Sequence, residues 1–77
     1  LVNQQPKSAA IVASVMADAS PMNPEIQNTA ANLLRQANQI NMARYHQQRS
    51  LALDPDNEKY RLNYAFDLFF CGLHKIA

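Results

Sequence analysis

Two short junctions built on proline and asparagine recur in the same register in a chain with little other punctuation. The first reads Ser20-Pro21-Met22-Asn23-Pro24-Glu25 and the second Asp54-Pro55-Asp56-Asn57-Glu58, so Pro21 aligns with Pro55 and Asn23 with Asn57. The 77 residues include four prolines and a single glycine, Gly72, which leaves few other places to break a regular element. The same shift superposes Gln5 on Gln39, Ala9 on Ala43, Ala31 on Ala65, Leu34 on Leu68 and Ala43 on Ala77. A period of about 34 residues is the mark of helical hairpins laid side by side.

Local chemistry supports helices between the junctions. Pro55 has no N–H and restricts Asp54, so a helix is expected to stop near Leu53. Asn57 can then cap the next helix through its side-chain oxygen, with Glu58 favourable in the first turn. At the earlier junction Asn23 is the cap, and Pro24 takes the first helical position, where a missing N–H costs nothing. Ile26, Ala30, Leu33, Leu34 and Ala37 follow at helical spacing. Further helices are expected over about 7–19 and 41–53, with turns at Asn38-Gln39 and at Gly72.

One segment points the other way. From Lys59 to Phe70, Tyr60, Leu62, Tyr64, Phe66, Leu68 and Phe70 alternate with mostly polar neighbours, which taken alone is a strand signal. A lone strand would have no partner elsewhere in this Ala- and Gln-rich chain. The cap at Asn57, the stop before it and the phase of the repeat favour helix. The expected fold class is therefore all-α, as stacked antiparallel helical hairpins.

Composition removes several functions. Seven basic against six acidic residues give a net charge of +1, without the surplus that a nucleic-acid or acidic-membrane surface requires. Arg35, Arg44, Arg49 and Arg61 alternate with Gln and Asn rather than with exposed aromatics, so they read as a solvated face. The apolar run from Ala9 to Ala19 is interrupted by Ser14 and Asp18 and is too short to span a bilayer. The chain is expected to be soluble, with a cytoplasmic setting favoured. Cys71 and His74 form the only cysteine–histidine pair, too few ligands for a zinc site, and His46 stands apart. One glycine rules out Gly-rich phosphate loops. No catalytic constellation, cofactor or metal is expected.

Ala43 through Asn57, with Ser50-Leu51-Ala52-Leu53-Asp54-Pro55-Asp56-Asn57, resembles the second helix and inter-repeat junction of the tetratricopeptide repeat family. Glu58 through Ala77 is similar to the following first helix and turn, with Asn63, Ala65, Leu68, Gly72 and Ala77 in phase. Three positions depart: Gln47 and His74 stand where an aromatic is usual, and Asn38 replaces the turn glycine. The resemblance implies one helical array over residues 1–77. It would comprise an unpaired helix at 7–19, a first full repeat at 24–57 and the start of the next at 58–77, all as a segment of a larger protein.

The same resemblance implies a non-catalytic module that binds a peptide or partner helix on a concave face lined by first helices. Carried over by phase, the groove residues are Asn28, Thr29, Asn32, Arg35 and Gln36, then Lys59, Leu62, Asn63, Phe66 and Phe69. Asparagine suits such a surface because it offers both a donor and an acceptor. Asn63 has an alternative role, a hydrogen bond that fixes adjacent helices. Leu62, Phe66, Phe69 and Leu73 form an i, i+4, i+7, i+11 stripe that needs covering. A missing helix is the first expectation for that cover, and a second copy of the chain or a bound partner are the others. Besides the interaction module, the sequence leaves open an oligomerisation element that buries this helix in a dimer, and a regulatory appendage of an enzyme.

Overall fold

A computed structural model describes residues 6–76 of the chain, and side chains over residues 9–72. The described residues form four α-helices and no strand: α1 (Pro6–Ala19), α2 (Pro24–Gln36), α3 (Ile40–Leu53) and α4 (Glu58–Ile76). The alternating segment is helical throughout. Its helix starts where Asn57 Oδ1 accepts the Tyr60 N–H at 3.1 Å, so the cap outweighs the period-two pattern.

The period of the sequence recurs in the backbone. α3 starts and stops one period after α1, with Ile40 in register with Pro6 and Leu53 with Ala19. α4 likewise starts one period after α2, with Glu58 in register with Pro24. The junction bonds repeat with them. Asn23 N–H donates to Ser20 O at 3.2 Å and Asn57 N–H to Asp54 O at 3.1 Å. Asn23 Oδ1 accepts from the N–H groups of Glu25 and Ile26, as Asn57 Oδ1 does from Tyr60. Arg49 and Ser50 then tie α3 to the first junction, donating to Pro21 O at 3.0 Å and Pro24 O at 2.8 Å.

The turn between α2 and α3 falls at the expected place. Asn38 has φ 61°, and its N–H donates to Arg35 O while the Gln39 N–H reaches back to Leu34 O at 2.8 Å. These two bonds make a Schellman ending with asparagine in the left-handed position that glycine usually takes. Gly72 behaves differently, and here the expectation is corrected: α4 continues through it to Ile76, and no described glycine has positive φ. Glycine permits a turn without imposing one, and in a helix it costs only about 1 kcal/mol relative to alanine. No close approach calls for a glycine there either, since a Cβ on Gly72 would meet nothing within 4 Å.

Each helix packs on its predecessor: α1 on α2, α2 on α3, α3 on α4. The shortest extent, 17 Å, is the depth of two packed helices. The apolar core is mostly alanine, with Ala13, Ala17, Ala30, Leu34 and Ala43 in one buried cluster and Ala10 and Leu33 against it. Side chains this small let helix backbones approach closely but bury little area each. The interior is completed by polar groups. Of the largest fully buried side chains, only Leu34 is apolar; the others are Gln27, Gln47, Ser50 and Asp67.

Candidate interaction surface

The sequence-derived groove residues separate into two sets. Asn28, Asn32, Arg35 and Asn63 are drawn into one polar network, whereas Lys59, Leu62, Phe66 and Phe69 face outward. Thr29 and Gln36 are also exposed.

The network joins α2, α3 and α4. Asn28 is 5% exposed, and its Oδ1 accepts from Gln47 Nε2 at 2.9 Å and Asn63 Nδ2 at 3.0 Å. Arg35 grips Asp67 through both carboxylate oxygens, Nε to Oδ1 at 2.6 Å and a terminal nitrogen to Oδ2 at 2.9 Å. Its other contacts are Asn32 Oδ1 at 2.6 Å and Gln47 Oε1 at 3.2 Å. Asp67 is fully buried, so this is an ion pair held by a charge-assisted fork rather than a solvated contact. Asn63 thus takes its alternative role, bridging helices. Gln47, which departs from the family pattern, supplies the centre of the network. Asp67 and Gln47 were not in the sequence-derived set. Their partners lie 32 and 19 residues from them in the chain, beyond any local spacing rule.

A second network ties α1 to α2 and α3. Gln27 Nε2 donates to Ala17 O at 3.1 Å and to Ser20 O at 3.2 Å, which leaves its Oε1 as an acceptor. His46 Nδ1 lies 2.8 Å from that oxygen and therefore carries the proton. Burial lowers the His46 pKa from its ordinary value; Asp18 opposes this shift and Arg49 adds to it. His46 also lines a cleft of about 360 Å³ between α1 and α3, with Ser14, Asp18, Asn41, Met42 and Tyr45. Among the described residues no group of three or more His, Cys, Asp or Glu side chains could hold a metal. Cys71 is a buried free thiol that donates to Asn41 Oδ1 at 3.6 Å, and the His74 side chain lies outside the described residues. Arg35 and Arg49 are engaged internally, which divides the arginine stripe.

The outer face of α4 is exposed. Tyr60, Asp67 and Cys71 are buried, with Asn63 and Tyr64 half-buried beside them. Turned the other way are Leu62 at 60% exposure, Phe66 at 56% and Phe69 at 61%, flanked by Ala65, Leu68 and Phe70. Phe70 stacks on Phe66 and meets Phe69 edge-on. The helix is amphipathic in reverse, with its ionic and amide groups inside and its aromatic stripe outside. Repeat phase explains the inversion. Asn28, Asn32 and Arg35 of α2 stand one period before Leu62, Phe66 and Phe69. In α2 that face is covered by α3 and α4; in α4 the same face is apolar and uncovered among the described residues. Each exposed side chain forgoes roughly 1.5–3 kcal/mol of burial.

No described helix is long and apolar enough to cross a membrane. The chain matches no family model, no curated protein and no solved structure in the comparisons made with them.

Proposed function

We propose that this chain is a tetratricopeptide-like array of stacked helical hairpins serving as a non-catalytic protein-interaction module, with the outer face of α4 as its docking surface. The observation that carries the reading is the exposed Leu62–Phe66–Phe69 stripe, which stands where repeat phase places a helix-covered face. Continuous apolar area of this kind on one face marks interaction sites. The partner is an amphipathic helix, because an i, i+4, i+7 stripe is matched by the same spacing on a facing helix. Lys59, exposed at the start of α4, adds a polar rim. The α2 residues Asn28, Asn32 and Arg35 act from inside by holding α4 in place, not by touching the partner.

Selection of a random peptide library on the immobilised chain tests this. Enriched peptides should carry apolar residues at i, i+4 and i+7, and should lose binding to the Phe66→Asp/Phe69→Asp variant while its helical circular dichroism is unchanged. Peptides without that spacing, or with undiminished binding to the double variant, would refute the reading.

A further inference from the structure

We propose that the cleft between α1 and α3 receives a primary alkylammonium group, with the Asp18 carboxylate as its counter-ion and a nitrogen of His46 as its acceptor. The site is separate from the outer face of α4, since none of Leu62, Phe66 and Phe69 lines it.

His46 is 7% exposed and has one ring nitrogen committed. Gln27 donates its side-chain amide to Ala17 O and Ser20 O, so its Oε1 receives the proton of His46 Nδ1 at 2.8 Å. In the neutral ring this leaves Nε2 as an acceptor. Burial lowers the His46 pKa, which keeps the ring in that form at neutral pH. Among the described residues Nε2 has no hydrogen-bond partner, whereas every fully enclosed polar side-chain atom has one. Nε2 is therefore open to the cleft that its ring lines. An acceptor left over on a ring this deeply buried calls for a donor.

The rest of the lining selects the charge of that donor. Ser14 and Asp18 stand one turn apart on α1, and Asn41, Met42 and Tyr45 join His46 on α3. Asp18 brings the only formal charge among these six residues, and among the described residues its carboxylate has no ion-pair partner. Arg49 is the cation closest at hand, but it donates to Pro21 O at 3.0 Å and lines a smaller adjoining cleft of about 200 Å³. An anion entering the larger cleft would meet a carboxylate and a lone pair. A neutral hydroxyl could satisfy His46 and would leave Asp18 without a counter-charge. An ammonium group has three N–H donors and a positive charge, and so suits His46 Nε2, the Ser14 hydroxyl oxygen and Asp18 together.

Size and polarity set the remainder of the ligand. A cleft of about 360 Å³ is at the small end of ligand pockets and holds a chain of a few carbons. Met42, 43% exposed, and Tyr45, 55% exposed, give that chain an apolar wall. The same chemistry occurs on free small amines and on lysine side chains of other proteins.

NMR of the whole chain, titrated at neutral pH and constant ionic strength, reads the outcome. n-Butylammonium chloride should shift the Ser14, Asp18 and His46 signals saturably, with a Kd of about 1–10 mM. n-Butanol lacks the charge and sodium butyrate reverses it, so each should bind at least about fivefold more weakly. Asp18→Asn, at an exposed position, should weaken butylammonium binding by about fivefold with the helical signal intact. His46→Asn keeps a donor for Gln27 but removes the Nε2 acceptor, and should weaken binding by a similar factor. A Gly-Lys-Gly peptide blocked at both ends separates the two sources. Binding as tight as that of butylammonium identifies a partner's lysine, and binding of butylammonium alone identifies a free amine. No saturable shift with either probe, equal binding of butanol or butyrate, or unchanged affinity in Asp18→Asn overturns the proposal. Should His46→Asn lose its helical signal, Asp18→Asn with the neutral and anionic probes decides the matter.

Discussion

At the scale of single residues, two positions carry clear expectations. Asn38 holds φ 61° and completes the Schellman ending of α2, so its replacement tests backbone conformation with little side-chain packing involved. Asn38→Gly should leave stability equal or raise it, whereas a β-branched Asn38→Val should cost about 1–2 kcal/mol in urea unfolding. Equal stabilities for the two would show that the turn tolerates a right-handed alternative. His46 gives a pH expectation. Burial sets its folded-state pKa below the ordinary 6.5, so the unfolded chain binds the extra proton first as pH falls. His46 should therefore weaken the fold as pH drops below about 6.5 and leave stability unaffected by this group above it. Thermal midpoints at pH 7.5 and 5.5 should differ more for the parent chain than for His46→Gln. An identical difference in the variant would remove His46 as the source.

At the scale of the element, α4 sets the main lesson. It carries both the strongest strand pattern and the only glycine, yet it is a helix from Glu58 to Ile76. The strand pattern reflects the crowding of apolar residues on nearly every side, which any period fits in part. With helix spacing, the same residues resolve into a buried set led by Tyr60, Asp67 and Cys71 and an exposed set led by Leu62, Phe66 and Phe69. Gly72 lies within this helix with open space where a Cβ would project. Gly72→Ala should accordingly stabilise the chain by roughly 0.5–1 kcal/mol, since it removes backbone freedom from the unfolded state without a clash. If the glycine served a turn, the same substitution would destabilise it. Chemical denaturation distinguishes the two by sign.

At the scale of the whole molecule, polar bonds do much of the work that a larger apolar core would do elsewhere. A chain of 77 residues with a mostly alanine core buries little area per contact, and its helices are cross-linked by the Arg35–Asp67 and Gln27–His46 networks. No described buried polar side-chain atom lacks a hydrogen-bond partner, and such completeness is needed for a polar interior to be tolerated. Removing one member of the ion pair should be severe: Arg35→Leu alone leaves a buried carboxylate and is expected to cost about 3–5 kcal/mol. Arg35→Leu/Asp67→Leu should cost clearly less, because no charge remains unpaired. A double variant as unstable as the sum of the singles would contradict this account of the pair.

The sequence by itself determined where the helices start and most of where they stop. Asn23 and Asn57 as caps, Pro24 at the first helical position, Pro55 as a breaker and Asn38 at the turn all act within a few residues. Local hydrogen bonding is decided by neighbours in the chain, so these features could be read directly. The sequence offset was equally legible, and the bounds of α1 and α3 and the starts of α2 and α4 follow it. The tertiary structure alone decided the use of each face. Asn28, Asn32, Arg35 and Asn63 have the chemistry of a binding groove, but Gln47 and Asp67 reach them from other helices and turn them inward. Burial of a polar side chain depends on whether a distant residue arrives with the complementary group, and helical periodicity carries no information about that. The exposed Leu62, Phe66 and Phe69 show the same dependence: their spacing marks a face, and only the packing of α3 and α4 shows that this face points away from the rest of the described chain.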